Sequence, residues 1–530
     1  MRQEARVGIY LNPSNKMFQD TLNGQFYVDK TGLASFVNAT MNTPLKYTCV
    51  SRPRRFGKSV DADMLVAYYT RGADSRAQFE GLAVSRDPSF EEHLNAHDVI
   101  RLDVQRMASR GGGIGNIVST VQSEVLEELE EAWPGLIPDG SALPKALERI
   151  EAAKASGFVF IIDEWDFPIR EAADDGALQR AYIDFLRDML KGASYVDACY
   201  ITGILPIKKY GVHSALNIFT EYSMTDPKGL ASFVGFEEIE VKRLCERFGM
   251  DYAEMARWYD GYVVGLDRLR MYNPRSVAGA LSSREYSSFW VSTETYEALQ
   301  VYIDLDFDGV GADLLAMLDG QRVYANVGMF ENDMRTFKTK DDVYALLVHL
   351  GYLTYDQVEQ RVFIPNEEIR REFSNAVQVG ARPGLARLAR ESRELIRATA
   401  DGDEVYVADA VGRAHSWAAG PRYYNDEQAL RAAVKFAYIA ALDDYLSVDE
   451  LPGGRGYADL AFVPKPGSAL LPMVVELKWD KPVDAALAQI RSRDYPAALD
   501  GLSGECLLVG ISYAPDTCEH FCRIERFSLD

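Results

Sequence analysis

The sequence predicts an α/β protein with a mostly parallel sheet in its first 230 residues, a helical stretch after it and a second α/β module at the C-terminus. Two observations predict this. Up to about residue 230, short apolar runs alternate with helical stretches, the pattern of βαβ units. From about residue 400, a new set of strand-like runs and amphipathic helices begins. The 530 residues exceed what one hydrophobic core holds, so about three domains are expected. The boundaries read as 1–234, 235–395 and 396–530.

In the first region the strands are LKYTCV (45–50), VIRLDV (99–104), FVFIID (158–163) and YVDACYITGI (195–204). From 235 to 330 the pattern turns helical, through EIEVKRLCERF and DYAEMARWYDGY. Residues 341 to 373 read as a helix, a turn and a short hairpin, an element of winged-helix type. The arginine-rich stretch from Arg382 to Arg397 reads as a linker running into an amphipathic helix.

The chain carries a formal net charge of −22, with 47% hydrophobic and 26% charged residues. That balance is ordinary for a globular protein, but it excludes binding DNA or RNA by bulk charge, because phosphate neutralisation needs cations. Any nucleic-acid contact has to be local, or made through a metal held between carboxylates. There is no apolar run of membrane-spanning length, and MRQEARVGIYLNPSNK has no apolar signal core. A cytoplasmic location with no membrane partner is expected. Six scattered cysteines fit a reducing compartment.

SRPRRFGKS (51–59) follows the first strand and opens a helix. In that context the backbone N–H groups and the helix N-terminus face a phosphate, Lys58 reaches the β and γ phosphates, and Ser59 ligates Mg²⁺. The phosphate-loop pattern G-x-x-x-x-G-K-[ST] is intact at Gly57, Lys58 and Ser59, but has Arg52 where the first glycine belongs. Taken alone, G-K-S reads equally well as a basic helix-capping turn. FVFIIDEWD adds a buried strand ending in Asp163, placed to hold hydrated Mg²⁺, and Glu164, placed to polarise an attacking water. ACYITGI ends near Thr202, a position suited to sensing the γ-phosphate. Three such features in this order outweigh the capping turn.

YVDKT (27–31), RPRRFGKS (52–59), IIDEWDFPI (161–169), ITGI (201–204), WYDGY (258–262) and YNPRS (272–276) together resemble the predicted AAA-ATPase-like family of bacteria and archaea. The resemblance spans roughly residues 5 to 290. It implies ATP as ligand and makes Arg52 part of the family's own version of the loop, with a guanidinium in reach of the phosphates. Arg54 and Arg55 fall in the same loop, and Arg275 is a candidate sensor from the following helical region. Binding with hydrolysis and binding alone both fit these residues. A homo-oligomer is a further expectation.

GRGYADLAFVPKPGSALLPMVVELKWD (454–480) places Asp459 on one strand, and Glu476 and Lys478 two apart on the next, hence on one face. This is the PD-(D/E)XK nuclease signature. Two carboxylates hold Mg²⁺, or Mn²⁺ in its place, against a phosphodiester, and a lysine orients the attacking water. The charges interrupt an apolar run, which is costly unless they pair or bind a metal. A module of this superfamily usually follows the ATPase in the family resembled. Its pattern falls on Glu427 in a preceding helix, Arg455 to Asp459 with one extra residue, Glu476, Lys478, Gln489 and Tyr495. The three acids are expected to converge within a few ångströms.

Cys518, His520 and Cys522 form C-x-H-x-C but lack an evident fourth zinc ligand. His213, His349 and His415 have no Ser or Cys partner at a suggestive spacing. The function these residues point to is an ATP-handling module controlling a Mg²⁺-dependent nuclease that acts on DNA or RNA. The contrasting readings are an ATP-gated interaction protein that cuts nothing, and an ATPase that acts on protein with the C-terminal domain setting specificity.

Overall fold

A computed structural model describes residues 8–529, apart from 208–215, 291–309, 319, 328–338, 380–382, 419–426, 439–440, 442–444, 454–455, 466–469 and 500–503. Arg455 and His213 lie outside the described residues. The chain divides into two compact units, one of residues 1–290 and 324–369, the other of 291–323 and 370–530. The units do not follow the boundaries read from sequence. The region 235–290 and the helix and hairpin after 340 fold with the N-terminal residues, while the chain from 370 onward belongs with the C-terminal module.

The first unit is built on a parallel sheet of β1 (Tyr47–Ser51), β2 (Asp98–Asp103), β3 (Phe158–Asp163), β4 (Val196–Gly203) and β5 (Thr220–Tyr222), in the order β2-β3-β4-β1-β5. The four longer strands fall on the four apolar runs. The three-residue β5 is not legible in the sequence, because TEY carries no apolar run. β1 and β3 are buried at every position, as expected of a parallel sheet covered on both faces. One layer of its core joins Ile100, Leu102, Phe158, Phe160 and Ile162 of the strands to Val121, Val125, Leu129, Leu147 and Ile150 of two flanking helices.

Order in the sheet positions the chemistry. β4 lies between β1, which leads into the loop before Lys58, and β3, which ends in the acids. Thr202 is therefore level with Val50 on one side and Asp163 on the other. From β1 the chain passes through the loop into α1 (Lys58–Tyr69). Residues 235–290 supply α2 (Glu238–Phe248), α3 (Tyr252–Tyr259) and α4 (Pro274–Ser283), whose apolar faces close a small core of Val241, Leu244, Met255, Trp258, Tyr259 and Val277. Phe26 and Val28 pack on that core, tying it to the N-terminal segment. α5 (Lys340–Leu350) and the hairpin Thr354–Asp356/Arg361–Phe363 follow, and the hydroxyl of Tyr262 donates to the Gly351 carbonyl at 2.9 Å.

The second unit holds a five-stranded sheet of β6 (Tyr445–Gly453), β7 (Gly456–Pro464), β8 (Met473–Trp479), β9 (Glu505–Ala514) and β10 (Glu519–Ser528), in chain order across the sheet. Only β8 and β9 run parallel. α6 (Glu404–Ala418), α7 (Glu427–Ala437) and α8 (Asp484–Arg493) belong to this unit. α8 crosses β9 at Gly510, where a Cβ would lie 3.0 Å from the Ala486 Cβ. Of the arginine-rich stretch, read as a linker into a helix, residues 383–397 fall within one helix, Pro383–Asp401, and Arg382 lies outside the described residues. Among the described residues no helix is long and apolar enough to cross a membrane. All six cysteines are free thiols, and Cys518 alone of them is exposed.

His415 on α6 and His520 on β10 meet with Nδ1 and Nε2 2.7 Å apart, packed against the Tyr513 ring. His520 of the C-x-H-x-C run thus faces a histidine. Burial pushes both imidazoles down to about 4 from 6.5, and for His520 the facing His415 adds to the effect. Folding therefore favours the neutral forms. The stability they contribute is full above pH 6.5 and is lost as the pH falls from there through 4. Urea unfolding of the second unit followed between pH 7 and 4 should show this loss, and His520→Gln should flatten it. An unchanged acid limb in His520→Gln would show that the pair does not titrate on unfolding.

Candidate functional site

The loop between β1 and α1 is shaped by two left-handed residues, Arg55 at φ 68° and Gly57 at φ 98°. A Cβ on Gly57 would meet nothing within 4 Å, so glycine is needed there for the backbone angle and not for space. Gly57 caps α1 with no side-chain cap, so the first N–H groups of the helix lack an intrahelical partner, the kind of helix end that suits an anion.

Lys58, 4% exposed, donates from Nζ to the carbonyls of Arg52 at 3.0 Å and Pro53 at 2.9 Å. Burial lowers its pKa, opposed by the charges of Glu164, Asp163 and Asp166. The Ser59 hydroxyl hydrogen-bonds Asp163. Asp163 is 2% exposed; burial pushes its carboxyl up to about 6, against the pull of that hydrogen bond. The residue types and their contact suit a hydrated Mg²⁺, with Ser59 and Asp163 as the groups to hold it.

Glu164 takes a left-handed backbone, φ 53°, at the end of β3. Non-glycine residues in that region are strained and gather at functional sites. Its carboxylate is held by Arg170 at 2.5 Å, and Arg170 Nε donates to Asp166 at 3.0 Å. The same Asp166 oxygen accepts from the amides of Ile204 at 3.1 Å and Leu205 at 2.8 Å, joining the ends of β3 and β4. Sequence reasoning missed both Asp166 and Arg170. Their spacing of four in DFPIR, one helical turn, is the signal that could have found them. Thr202 is fully buried, and among the described residues its hydroxyl has no hydrogen-bond partner.

A cavity of 710 Å³ opens over the loop. Arg54, Arg55, Gly57, Lys58, Ser59 and Glu164 line one part of it; Phe18, Phe26, Tyr27, Val28, Phe233 and Phe236 make an apolar part. Arg275 and Pro274 at the start of α4 complete the wall. The sequence YNPRS explains the fit. Asn273 caps α4, accepting from the amides of Arg275 at 2.9 Å and Ser276 at 3.4 Å. Its amide donates to the Arg54 carbonyl at 3.3 Å, fastening α4 to the loop, and Pro274 at the first helical turn costs no hydrogen bond. Arg55 donates to the carbonyls of Phe289 at 2.6 Å and Trp290 at 2.8 Å.

Arg52 departs from expectation. It does not line the cavity. It lies beneath the loop, 1% exposed, and donates from Nη1 to the carbonyls of Ser51 at 2.9 Å and Tyr222 at 3.0 Å. Burial lowers its pKa to about 10, while the neighbouring Tyr200 and Asp61 oppose the shift. The side chain fills the place under a turn that lacks the usual glycine, with the buried Asp61 of α1 in its electrostatic neighbourhood.

In the second unit, the last pair of the β7–β8 ladder is Leu460 with Val475; the next positions are Asp459 and Glu476. Asp459 accepts from the Leu477 amide at 2.8 Å through one oxygen and from Arg431 at 2.9 Å through the other. Glu476, 1% exposed, accepts from Lys478 Nζ at 2.7 Å on Oε1, while its Oε2 is buried with no partner among the described residues. Burial pushes its carboxyl up to about 7; Asp459 adds to this and Lys478 opposes it. Glu427 stands at the start of α7, one turn before Arg431. Among the described residues no group of three or more His, Cys, Asp or Glu is arranged to hold a metal, so Glu427 does not converge with Asp459 and Glu476 as expected. Arg431, missed in the sequence because its partner is 28 residues away, takes a place beside Asp459 instead. Gln489 donates to the Tyr495 hydroxyl at 3.2 Å.

Within the first unit, residues 16–213 match the family model described as predicted AAA-ATPase. Over 526 residues the chain is 24% identical to an uncharacterized protein in the vnfD 5′ region of Azotobacter chroococcum mcd 1, covering 93% of each. A Walker-type ATPase of Pyrococcus abyssi (13% identity, 65% of this chain and 94% of that one, TM-score 0.32) is among the similar solved structures. Another is the ORC2 protein of Aeropyrum pernix in ADPNP–ADP complexes (13%, 69% and 98%, TM-score 0.26). Superpositions this loose say nothing about activity.

Arg52→Met tests the buried position. Removing a hydrogen-bonded buried cation should cost about 2 kcal/mol of stability, read as a lower urea midpoint for the first unit. Unaltered stability together with lost ATP binding would instead make Arg52 a phosphate ligand.

Proposed function

We propose that the chain is an ATP-driven switch or motor that controls a Mg²⁺-dependent nuclease acting on DNA or RNA. The observation that carries the first half is the meeting of Lys58, Ser59 and Glu164 on one cavity wall, with Asp163 hydrogen-bonded to Ser59 behind it. Lys58 is poised to exchange two loop carbonyls for phosphate oxygens, and the α1 amides to receive the anion. Arg275 approaches from α4, in position to sense whether the γ-phosphate is present. Mg²⁺, when bound, offsets charge on the phosphates. Glu164, once released from Arg170, orients the attacking water.

The second half is supported by Asp459 and Glu476 at adjacent ladder positions, with an unpartnered buried oxygen on Glu476. An orphaned carboxylate oxygen in an apolar strand is costly, and a divalent cation relieves it. When bound, Mg²⁺ or Mn²⁺ supplies Lewis-acid activation of a phosphodiester. Asp459 and Glu476 would hold it, and Lys478 would steady the water. A second reading, the non-cleaving interaction protein, is favoured by one fact: both acids already have a basic partner within the chain.

Lys58→Ala should weaken ATP binding by at least tenfold, since a charged hydrogen bond of this kind is worth about 1.5–3 kcal/mol. Glu164→Gln should bind ATP normally and hydrolyse it slowly. Equal ATP affinity in wild type and Lys58→Ala, measured by calorimetry, would sink the nucleotide assignment.

The nuclease is tested with labelled DNA and RNA, with and without Mg²⁺, Mn²⁺ and ATP. Cleavage should need the metal, disappear in Asp459→Ala and Glu476→Ala, and slow in Lys478→Ala with metal binding kept. Equal cutting without Asp459 would place the active site elsewhere. Metal-dependent nucleic-acid binding without any cutting would favour the second reading.

A further inference from the structure

Arg431 on α7 follows Glu427 by one helical turn, so both project from one face of that helix. Its guanidinium is shared between two acids, with Nη2 2.9 Å from Asp459 Oδ1 and Nη1 3.6 Å from Glu450 Oε1. Glu450 is exposed, and at that distance it holds the guanidinium weakly. Nε is buried and without a partner among the described residues. A purely structural arginine in a built ion pair would be expected to use that donor, because leaving it buried and unmade is unfavourable.

The oxygens divide in an informative way. Asp459 Oδ2 is taken by the Leu477 amide, and Glu476 Oε1 by Lys478. That leaves Glu476 Oε2, which is buried with no hydrogen-bond partner among the described residues, and Asp459 Oδ1, which is covered by Arg431 alone. A cation bridging these two carboxylates must compete with the guanidinium for Oδ1. Once displaced, Arg431 keeps a planar fork of donors that matches two phosphate oxygens as well as it matches a carboxylate.

We propose that Arg431 is a substrate-binding residue held in reserve. It neutralises Asp459 while the site lacks metal, and moves to a backbone phosphate of the nucleic acid when a divalent cation takes Asp459 Oδ1. The inference rests on the reading of this unit as a metal-dependent nuclease. It adds an order of events: metal first, then a strengthened grip on the phosphodiester. A phosphate contact of this kind is blind to base and sugar, so it serves DNA and RNA alike.

The test uses the full chain as wild type, Arg431→Gln, Arg431→Lys and Asp459→Asn. Mn²⁺ binding is measured by calorimetry, and binding of labelled DNA and of labelled RNA by anisotropy in Ca²⁺. Arg431→Gln should bind Mn²⁺ several-fold tighter than wild type, because a competing cation is gone. It should bind whichever nucleic acid the wild type prefers about tenfold more weakly, the loss of one charged hydrogen-bonded contact. Arg431→Lys keeps the charge beside Asp459 and guards against misfolding; it should leave Mn²⁺ affinity near wild type yet still weaken nucleic-acid binding. Unchanged or weaker Mn²⁺ binding in Arg431→Gln, or undiminished nucleic-acid binding in both variants, overturns the role of Arg431. Failure of the wild type to bind Mn²⁺ or either nucleic acid, or Mn²⁺ binding that survives Asp459→Asn, overturns the nuclease reading beneath it.

Discussion

A buried guanidinium under the loop between β1 and α1 is the contact on which the proposed nucleotide site depends. The Arg52 amide donates to the Gly203 carbonyl at the end of β4, and its side chain donates to the Tyr222 carbonyl on β5. One residue thereby fixes where the loop leaves the sheet and closes the edge beyond β1. Burying a charge this fully is unfavourable unless hydrogen bonds and an opposite charge compensate it. Two carbonyls supply the hydrogen bonds here, while the nearby Asp61 of α1 is itself pushed toward its neutral form by burial. The position of Lys58 follows, because Lys58 is moored to the carbonyls of Arg52 and Pro53.

A second buried charge does the same for the acidic side of the site. Asp166 is 0% exposed and binds two amides of the β4 end together with Arg170, which in turn holds Glu164. The carboxylate proposed to orient water is therefore tied, through a single arginine, to the connection after β4. Thr202 lies on that same strand, level with Asp163. Any rearrangement that frees Glu164 from Arg170 disturbs a group fastened to both strand ends.

The two halves of the chain treat their acids differently. In the first unit Asp163 leans on a serine hydroxyl and Glu164 on an arginine. In the second, both carboxylates of the strand pair are met by cations from their own neighbourhood, Lys478 from the same strand and Arg431 from α7. Such pairing keeps a buried acid cluster tolerable in the absence of metal, since neighbouring carboxylates without counter-charges raise each other's pKa.

The sequence by itself determined the class of fold, the four long strands of the first sheet, and the loop and acid motifs. These are short-range signals: runs of apolar residues, a glycine with a helix behind it, an acid at a strand end. Asn273 and Pro274 were equally local, a cap and a first-turn proline that place Arg275. What only the tertiary structure decided is where charges meet across long separations. Arg52 went beneath the loop and not into the cavity because its partner, the Tyr222 carbonyl, is brought to it by β5. Asp459 faces Arg431, and not a third carboxylate, because α7 lays that arginine beside it. His520 belongs with His415, 105 residues away. A side chain's residue type sets what it can bind, but a buried charge or imidazole takes whichever partner the packed elements deliver, and that partner is not encoded in its neighbours along the chain.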